Sequence, residues 1–138
     1  MKITLDTGIL ISALITKDTP PDQLYQAWIQ GLFELITSEA QLTEFERVVS
    51  YPKLQKYLHP AEAQLMIASL QHEALFVTDL PTVSYSPDHD DNAILATAIA
   101  GDADYIVSGD KQHMLSLKAV EGIPILTARE AVDILLKS

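Results

Sequence analysis

The chain contains no cysteine. A disulfide framework, a thiolate zinc site and a cysteine nucleophile are therefore excluded. Cations are scarce: 9 Lys and Arg stand against 19 Asp and Glu, giving a formal charge of −10 and a pI near 4.6. That sign opposes simple electrostatic capture of nucleic acid or anionic lipid. It fits carboxylates gathered for a cation, or a basic partner. No apolar run reaches the ~18–20 residues of a membrane span. The N-terminus does not read as a signal peptide, because Asp6 interrupts the apolar run and the stretch 8–15 gives way to Lys17. The expectation is a soluble, cytoplasmic protein with no membrane association. GxSxG, P-loop and GxGxxG motifs are absent. No pair among the 4 histidines has zinc-binding spacing. There is no internal repeat and no low-complexity tract.

What is present is ordinary globular composition, 48% hydrophobic and 20% charged over 138 residues, which predicts one domain spanning 1–138. Lys2-Ile3-Thr4-Leu5 reads as a buried strand, followed by an apolar helix over 9–15. Helices are predicted over 22–30, from Ser38 to Tyr51-Pro52, over 60–74 and over 91–100. Further strands are predicted over 33–37, 75–77, 104–108 and 123–126. Ser38 and Gln41 have capping-box spacing, as do Thr127 and Glu130. A short helical segment is expected over 112–117. Gly101 reads as a helix stop, and Pro124 predicts that the last strand lies at a sheet edge. Ala131, Val132, Leu135 and Leu136 form the expected inner face of the final helix. Short apolar strands alternating with helices predict an α/β fold with a parallel sheet covered by helices.

In such sheets ligands bind beyond the carboxyl ends of the strands. Asp6 directly follows the first strand, and Asp110 follows the 104–108 strand after one glycine. Asp88, Asp90 and Asp91 gather at the entry to the most apolar helix. Gathered carboxylates repel and raise one another's pKa, a cost that a hard divalent cation relieves. Each has a plainer alternative. Asp6 and Asp110 suit turns, and Asp90 or Asp91 suits an N-cap. Glu44 and Glu46 lie at opposite margins of the Leu42, Phe45, Val48 and Val49 stripe, and periodicity does not choose between them. Asp104 precedes its strand and reads as structural. His89 and His113 fall near the acids, where a solvated role is the simpler reading. Met66 and Met114 read as core.

The order and spacing of these segments resemble the PIN-domain nucleases, in particular the toxin-like subfamily of toxin–antitoxin systems. The resemblance begins with Leu5-Asp6-Thr7-Gly8-Ile9-Leu10-Ile11-Ser12-Ala13. It continues through Ser38-Glu39-Ala40-Gln41-Leu42-Thr43-Glu44-Phe45-Glu46-Arg47-Val48-Val49 and Asp88-His89-Asp90-Asp91-Asn92-Ala93. Its most specific stretch is Ala103-Asp104-Tyr105-Ile106-Val107-Ser108-Gly109-Asp110-Lys111, and Gly122-Ile123-Pro124-Ile125-Leu126-Thr127 also fits. The resemblance implies a three-layer PIN-like fold and a metal-dependent endoribonuclease. Its four core acids would fall on Asp6, Glu44, Asp91 and Asp110, with Asp88 as a secondary ligand. Thr7, Ser12, Asn92 and Ser108 match positions that orient ligands or substrate. One or two Mg²⁺ or Mn²⁺ ions are implied, with RNA products carrying 5′-phosphate and 3′-hydroxyl ends. An antitoxin partner with a basic tail and a homodimer are further expectations; against the negative net charge, Arg47, Lys53, Lys56, Lys111 and Lys118 are the local cations that could draw RNA, with scattered solvated surface as the plainer reading of each.

Two positions depart from the subfamily pattern: His89 replaces a proline and Gln112 replaces an acid. A phosphotransfer receiver domain would need a second acid at Thr7, and a haloacid-dehalogenase-like phosphatase an Asp at Gly8. The alternative of another class is a catalytically silent PIN-fold binding module in a regulatory complex.

Overall fold

The computed structural model describes residues 1–136. Six strands form one sheet in the order β3-β2-β1-β4-β6-β5. They are β1 (Lys2–Leu5), β2 (Glu34–Ser38), β3 (Leu75–Val77), β4 (Tyr105–Val107), β5 (Ala119–Val120) and β6 (Ile123–Leu126). Every neighbouring pair is parallel except β5 and β6, which are antiparallel. The helices are α1 (Thr7–Ile15), α2 (Pro20–Ile29), α3 (Glu39–Val49), α4 (Pro60–Glu73), α5 (His89–Ala100) and α6 (Ala128–Leu136). Among the described residues, no helix is long and apolar enough to cross a membrane.

Two hydrophobic clusters cover the sheet. One joins β1 and β2 to α1, α2, α3, α4 and α6 through Ile3, Leu5, Leu24, Trp28, Phe45, Met66 and Leu70. The other joins α5 to β4, β5 and β6 through Ile94, Leu95, Ala98, Ile106, Met114 and Ile125. The predicted inward faces of α2, α3 and α4 are buried, as is most of α5. Leu135 packs against the first cluster, but Leu136 is exposed. The apolar stripe of α6 therefore ends one residue sooner than periodicity suggests.

Three other expectations are corrected. Pro124 does not mark an edge, because β6 lies between β4 and the two-residue β5. Pairing with β4 begins at Ile125, one residue beyond the proline, so its missing N–H falls outside that ladder. The 112–117 segment is a turn followed by a single 3₁₀ turn, Leu115–Leu117. Gln41 does not complete a capping box. Ser38 Oγ accepts its N–H at 3.3 Å, but its side chain turns inward to bond the Leu5 carbonyl and Thr37 Oγ1. Gly101 ends α5 as expected, with φ −94 rather than a left-handed backbone. A Cβ there would stand 2.7 Å from Ile36 Cγ2, so close helix–sheet packing requires glycine.

Candidate active site

Asp6 lies where β1 becomes α1. Its N–H donates to the Val107 carbonyl at 2.8 Å, extending the β1–β4 ladder by one residue. That pairing brings the ends of β1 and β4 together. Ser108 then links the two acids they carry. Its Oγ donates to Asp6 Oδ2 at 2.8 Å and accepts the Asp110 N–H at 3.0 Å. Ser108 is fully buried, so the hydroxyl works in a low-dielectric setting.

Glu44 arrives from α3. Gln41, one turn earlier, is anchored to the carbonyl of Leu5 and so seats α3 against the end of β1. The buried Thr7 hydroxyl donates to Glu44 Oε1. Glu44 is half-buried and Glu46 exposed, so tertiary packing makes the choice that periodicity leaves open.

Asp91 arrives from α5. The structure gives the N-cap to Asp88, not to Asp90 or Asp91: Asp88 Oδ1 accepts the Asp90 N–H at 2.9 Å. The Asp91 carboxylate is thereby released from capping. Asp91 as a whole residue is 7% exposed, and its Oδ2 accepts from Ser86 Oγ at 3.2 Å. Ser86 also accepts the Asp88 N–H at 3.1 Å. Asn92 holds the Ser86 backbone at both ends, accepting its N–H at 2.9 Å and donating to its carbonyl at 2.8 Å. Arg47 and Asp90 form an exposed ion pair of 3.0 Å between α3 and α5.

These acids sense one another. Burial raises the pKa of Asp6, and the negative charge of Asp110 adds to that; the Ser108 hydroxyl and the amides of Gly8 and Thr7 oppose it. Glu44 is pushed up to about 7 by burial and by Asp90 and Asp6, against the Thr7 hydroxyl and Arg47. Asp91 is pushed up to about 6 by burial and by Asp6, Asp88 and Asp110. A set of oxygen donors that pays this cost by itself fits a hard divalent cation.

The remaining candidates separate clearly. Ser12 is exposed on α1, and its hydroxyl bonds none of the acids among the described residues. Asp104 lies at the opposite end of the sheet and accepts the Lys2 N–H at 2.8 Å, the structural role expected of it. His89 is exposed, while Met66 and Met114 are fully buried. Among the described residues, the tightest group of metal-ligating side chains is Asp88, Asp91 and His113, with donor atoms within 4.8 Å of one another. Reading by sequence alone missed Ser86 and Gln41 as parts of this arrangement, and placed His113 near the acids but read it as solvated. Ser86 had a signal, the Ser-Pro-Asp run just before a helix, which suits a turn that leads into a cap. Gln41 had none, because its apparent capping role was the more local explanation.

Comparison with known proteins agrees with this architecture. The chain is 28% identical over 141 residues to an uncharacterized protein of Methanocaldococcus jannaschii, covering 96% of this chain and 90% of that one. Its fold is similar to that in a crystal structure of VapBC2 from Rickettsia felis bound to a DNA fragment from their promoter. The TM-score is 0.60 at 19% identity, over 92% of this chain and 98% of that one. The family model described as PIN domain matches residues 2–112, a span that contains Asp6, Glu44, Asp88, Asp91 and Asp110, and the chain belongs to the PIN domain family.

Proposed function

We propose that this protein is a divalent-metal-dependent endoribonuclease whose site comprises Asp6, Glu44, Asp91 and Asp110, with Asp88 at its rim. The observation that carries the reading is convergence. At one end of the sheet, Asp6 from the end of β1, Glu44 from α3 and Asp91 from the N-terminus of α5 have pKa values raised by burial and then by neighbouring acids, Asp110 acting on Asp6, Asp6 on Glu44, and Asp6, Asp88 and Asp110 on Asp91. Ordinary folding does not require that arrangement, and it is costly without a counter-charge.

The four carboxylates would hold Mg²⁺ or Mn²⁺. When bound, such an ion lowers the pKa of a water and offsets negative charge on a phosphodiester. The chain's own contribution is positioning. Ser108, Thr7 and Ser86 fix the carboxylates of Asp6, Glu44 and Asp91 by hydrogen bonds, and Asn92 fixes the Ser86 loop. Arg47 and Lys111 are exposed beside the acids and would meet neighbouring phosphates. Ser12 is left as a substrate contact on the exposed face of α1.

Two further assignments extend the reading. The Rickettsia felis neighbour is a VapBC2 complex, and this supports assigning the chain as the toxin of a cytoplasmic toxin–antitoxin module. A basic antitoxin segment would be attracted by the net charge of −10. A homodimer completes the proposed assembly.

The test is cleavage of a structured and an unstructured RNA with Mg²⁺, with Mn²⁺ and with EDTA, comparing wild type with Asp6→Asn and Asp110→Asn. Metal-dependent cleavage lost in both variants supports the assignment. Equal activity in all three proteins, or none in a folded wild type that binds metal, overturns it.

A further inference from the structure

The turn after β4 carries a histidine back into the acids. Asp110 Oδ1 accepts the backbone N–H groups of Gln112 and His113, each at 3.0 Å. These bonds curl the chain so that His113 Nδ1 stands 3.7 Å from Asp110 Oδ2. Donor atoms of His113, Asp88 and Asp91 all lie within 4.8 Å of one another. Two donors on opposite sides of one ion, each ~2.2 Å from it, would be ~4.4 Å apart. The trio is therefore at the scale of a single ion.

A second observation also points to a cation. Among the described residues Asp91 bonds only through Oδ2, which accepts from Ser86 Oγ, so Oδ1 is available. Asp88 likewise uses only Oδ1 for capping, which leaves Oδ2 available. The buried Ser86 hydroxyl touches both residues and fixes their separation.

Mg²⁺ favours an all-oxygen shell, whereas an imidazole nitrogen suits first-row transition ions. We propose that Asp88, Asp91 and His113 form a divalent-cation position with mixed nitrogen and oxygen donors, and that His113 biases the site toward Mn²⁺ over Mg²⁺. This rests on the reading of the acid cluster as a cation site, and Asp91 is shared between the two. It adds a nitrogen ligand and a basis for metal choice that the four carboxylates do not supply.

The test uses the full-length, metal-free chain titrated with Mn²⁺. Electron paramagnetic resonance counts the bound ion, and electron spin-echo modulation detects imidazole nitrogen on it. Mg²⁺ affinity follows by competition. Wild type is expected to show the nitrogen coupling. His113→Gln should lose it and bind Mn²⁺ ~10–100-fold more weakly, with Mg²⁺ affinity changed by less than about twofold. His113→Asp, which offers an oxygen donor instead, should narrow the Mn²⁺ preference without restoring the coupling. Circular dichroism melts establish that both variants are folded. Mn²⁺ bound to wild type without nitrogen coupling, or a Mn²⁺ to Mg²⁺ ratio unchanged in His113→Gln, overturns this proposal alone. Failure of either ion to bind wild type overturns it together with the metal-dependent reading.

Discussion

The two ends of β4 treat their aspartates differently. Asp104, at the entry, is exposed and spends its carboxylate on the N–H of Lys2. Asp110, beyond the exit, is half-buried and winds a turn with Oδ1, while its charge raises the pKa of Asp6 and of Asp91. The entry end of the sheet also contains a cavity of about 610 Å³, lined by Met1, Trp28, Leu32, Phe33 and Leu75 among others. The acids that line that cavity are Glu34 and Glu73, whereas Asp6, Asp91 and Asp110 lie at the exit end. Position along the strand, rather than residue type, decides which aspartate joins the gathered acids. Parallel pairing aligns the exits of β1 and β4, and the chain that follows each exit must turn there.

Asparagine substitutions sharpen this contrast most. Asp6→Asn and Asp110→Asn are each expected to lower RNA cleavage by at least ~100-fold, since loss of even a supporting group at a metal site costs ~10–100-fold. Asp104→Asn should leave cleavage unchanged. A comparable loss in Asp104→Asn would break the comparison.

Packing behind the site comes next. Gly101→Ala is expected to destabilise the fold by ~1–3 kcal/mol, because its Cβ would press on Ile36 in the middle of the sheet. Urea denaturation would measure this, and an unchanged midpoint would mean that the sheet yields freely there. Ser108→Ala removes the hydroxyl between Asp6 and Asp110 and should reduce cleavage ~10-fold. Its stability loss should be nearer ~1 kcal/mol. A variant that unfolds while its remaining folded fraction keeps full activity would make Ser108 purely structural.

The smallest effect is on pH dependence. Glu44 titrates at about 7 in the fold against an ordinary value of 4.5, and Asp91 at about 6 against 3.8. Both bind a proton more tightly folded than unfolded, so each favours folding at low pH. That contribution is complete below the unfolded values and is lost as pH rises through about 6 for Asp91 and about 7 for Glu44. The metal-free protein should therefore melt at a higher temperature at pH 5.5 than at pH 7.5. Glu44→Gln and Asp91→Asn should each flatten the trend, and saturating Mn²⁺ should reverse it. A slope unchanged in both variants would place its origin in the general negative charge.

Much of this was legible before any coordinates. Alternating short strands and amphipathic helices announced an α/β sheet, and the acids directly after strands were expected at one end of it, where Ser108 links Asp6 and Asp110. The Ser38 cap could be read because it depends on neighbours a few residues away. The Thr127 and Glu130 capping box is formed as read, with bonds of 2.9 and 3.1 Å. The errors arose where a local rule met a distant partner. Pro124 obeyed the local rule for edges until β5 paired beyond it. Gln41 had the spacing of a cap but found the Leu5 carbonyl instead.

By itself the sequence determined the main strands and helices, their order, most of their buried faces and the stock of carboxylates, since each depends on composition or on short-range periodicity. Only the tertiary structure chose Glu44 over Glu46, gave the cap to Asp88 so that Asp91 could turn inward, and brought His113 beside them. Those outcomes depend on which surfaces meet across the sheet. Residues far apart in the chain share a hydrogen bond or a charge only after the strands have paired.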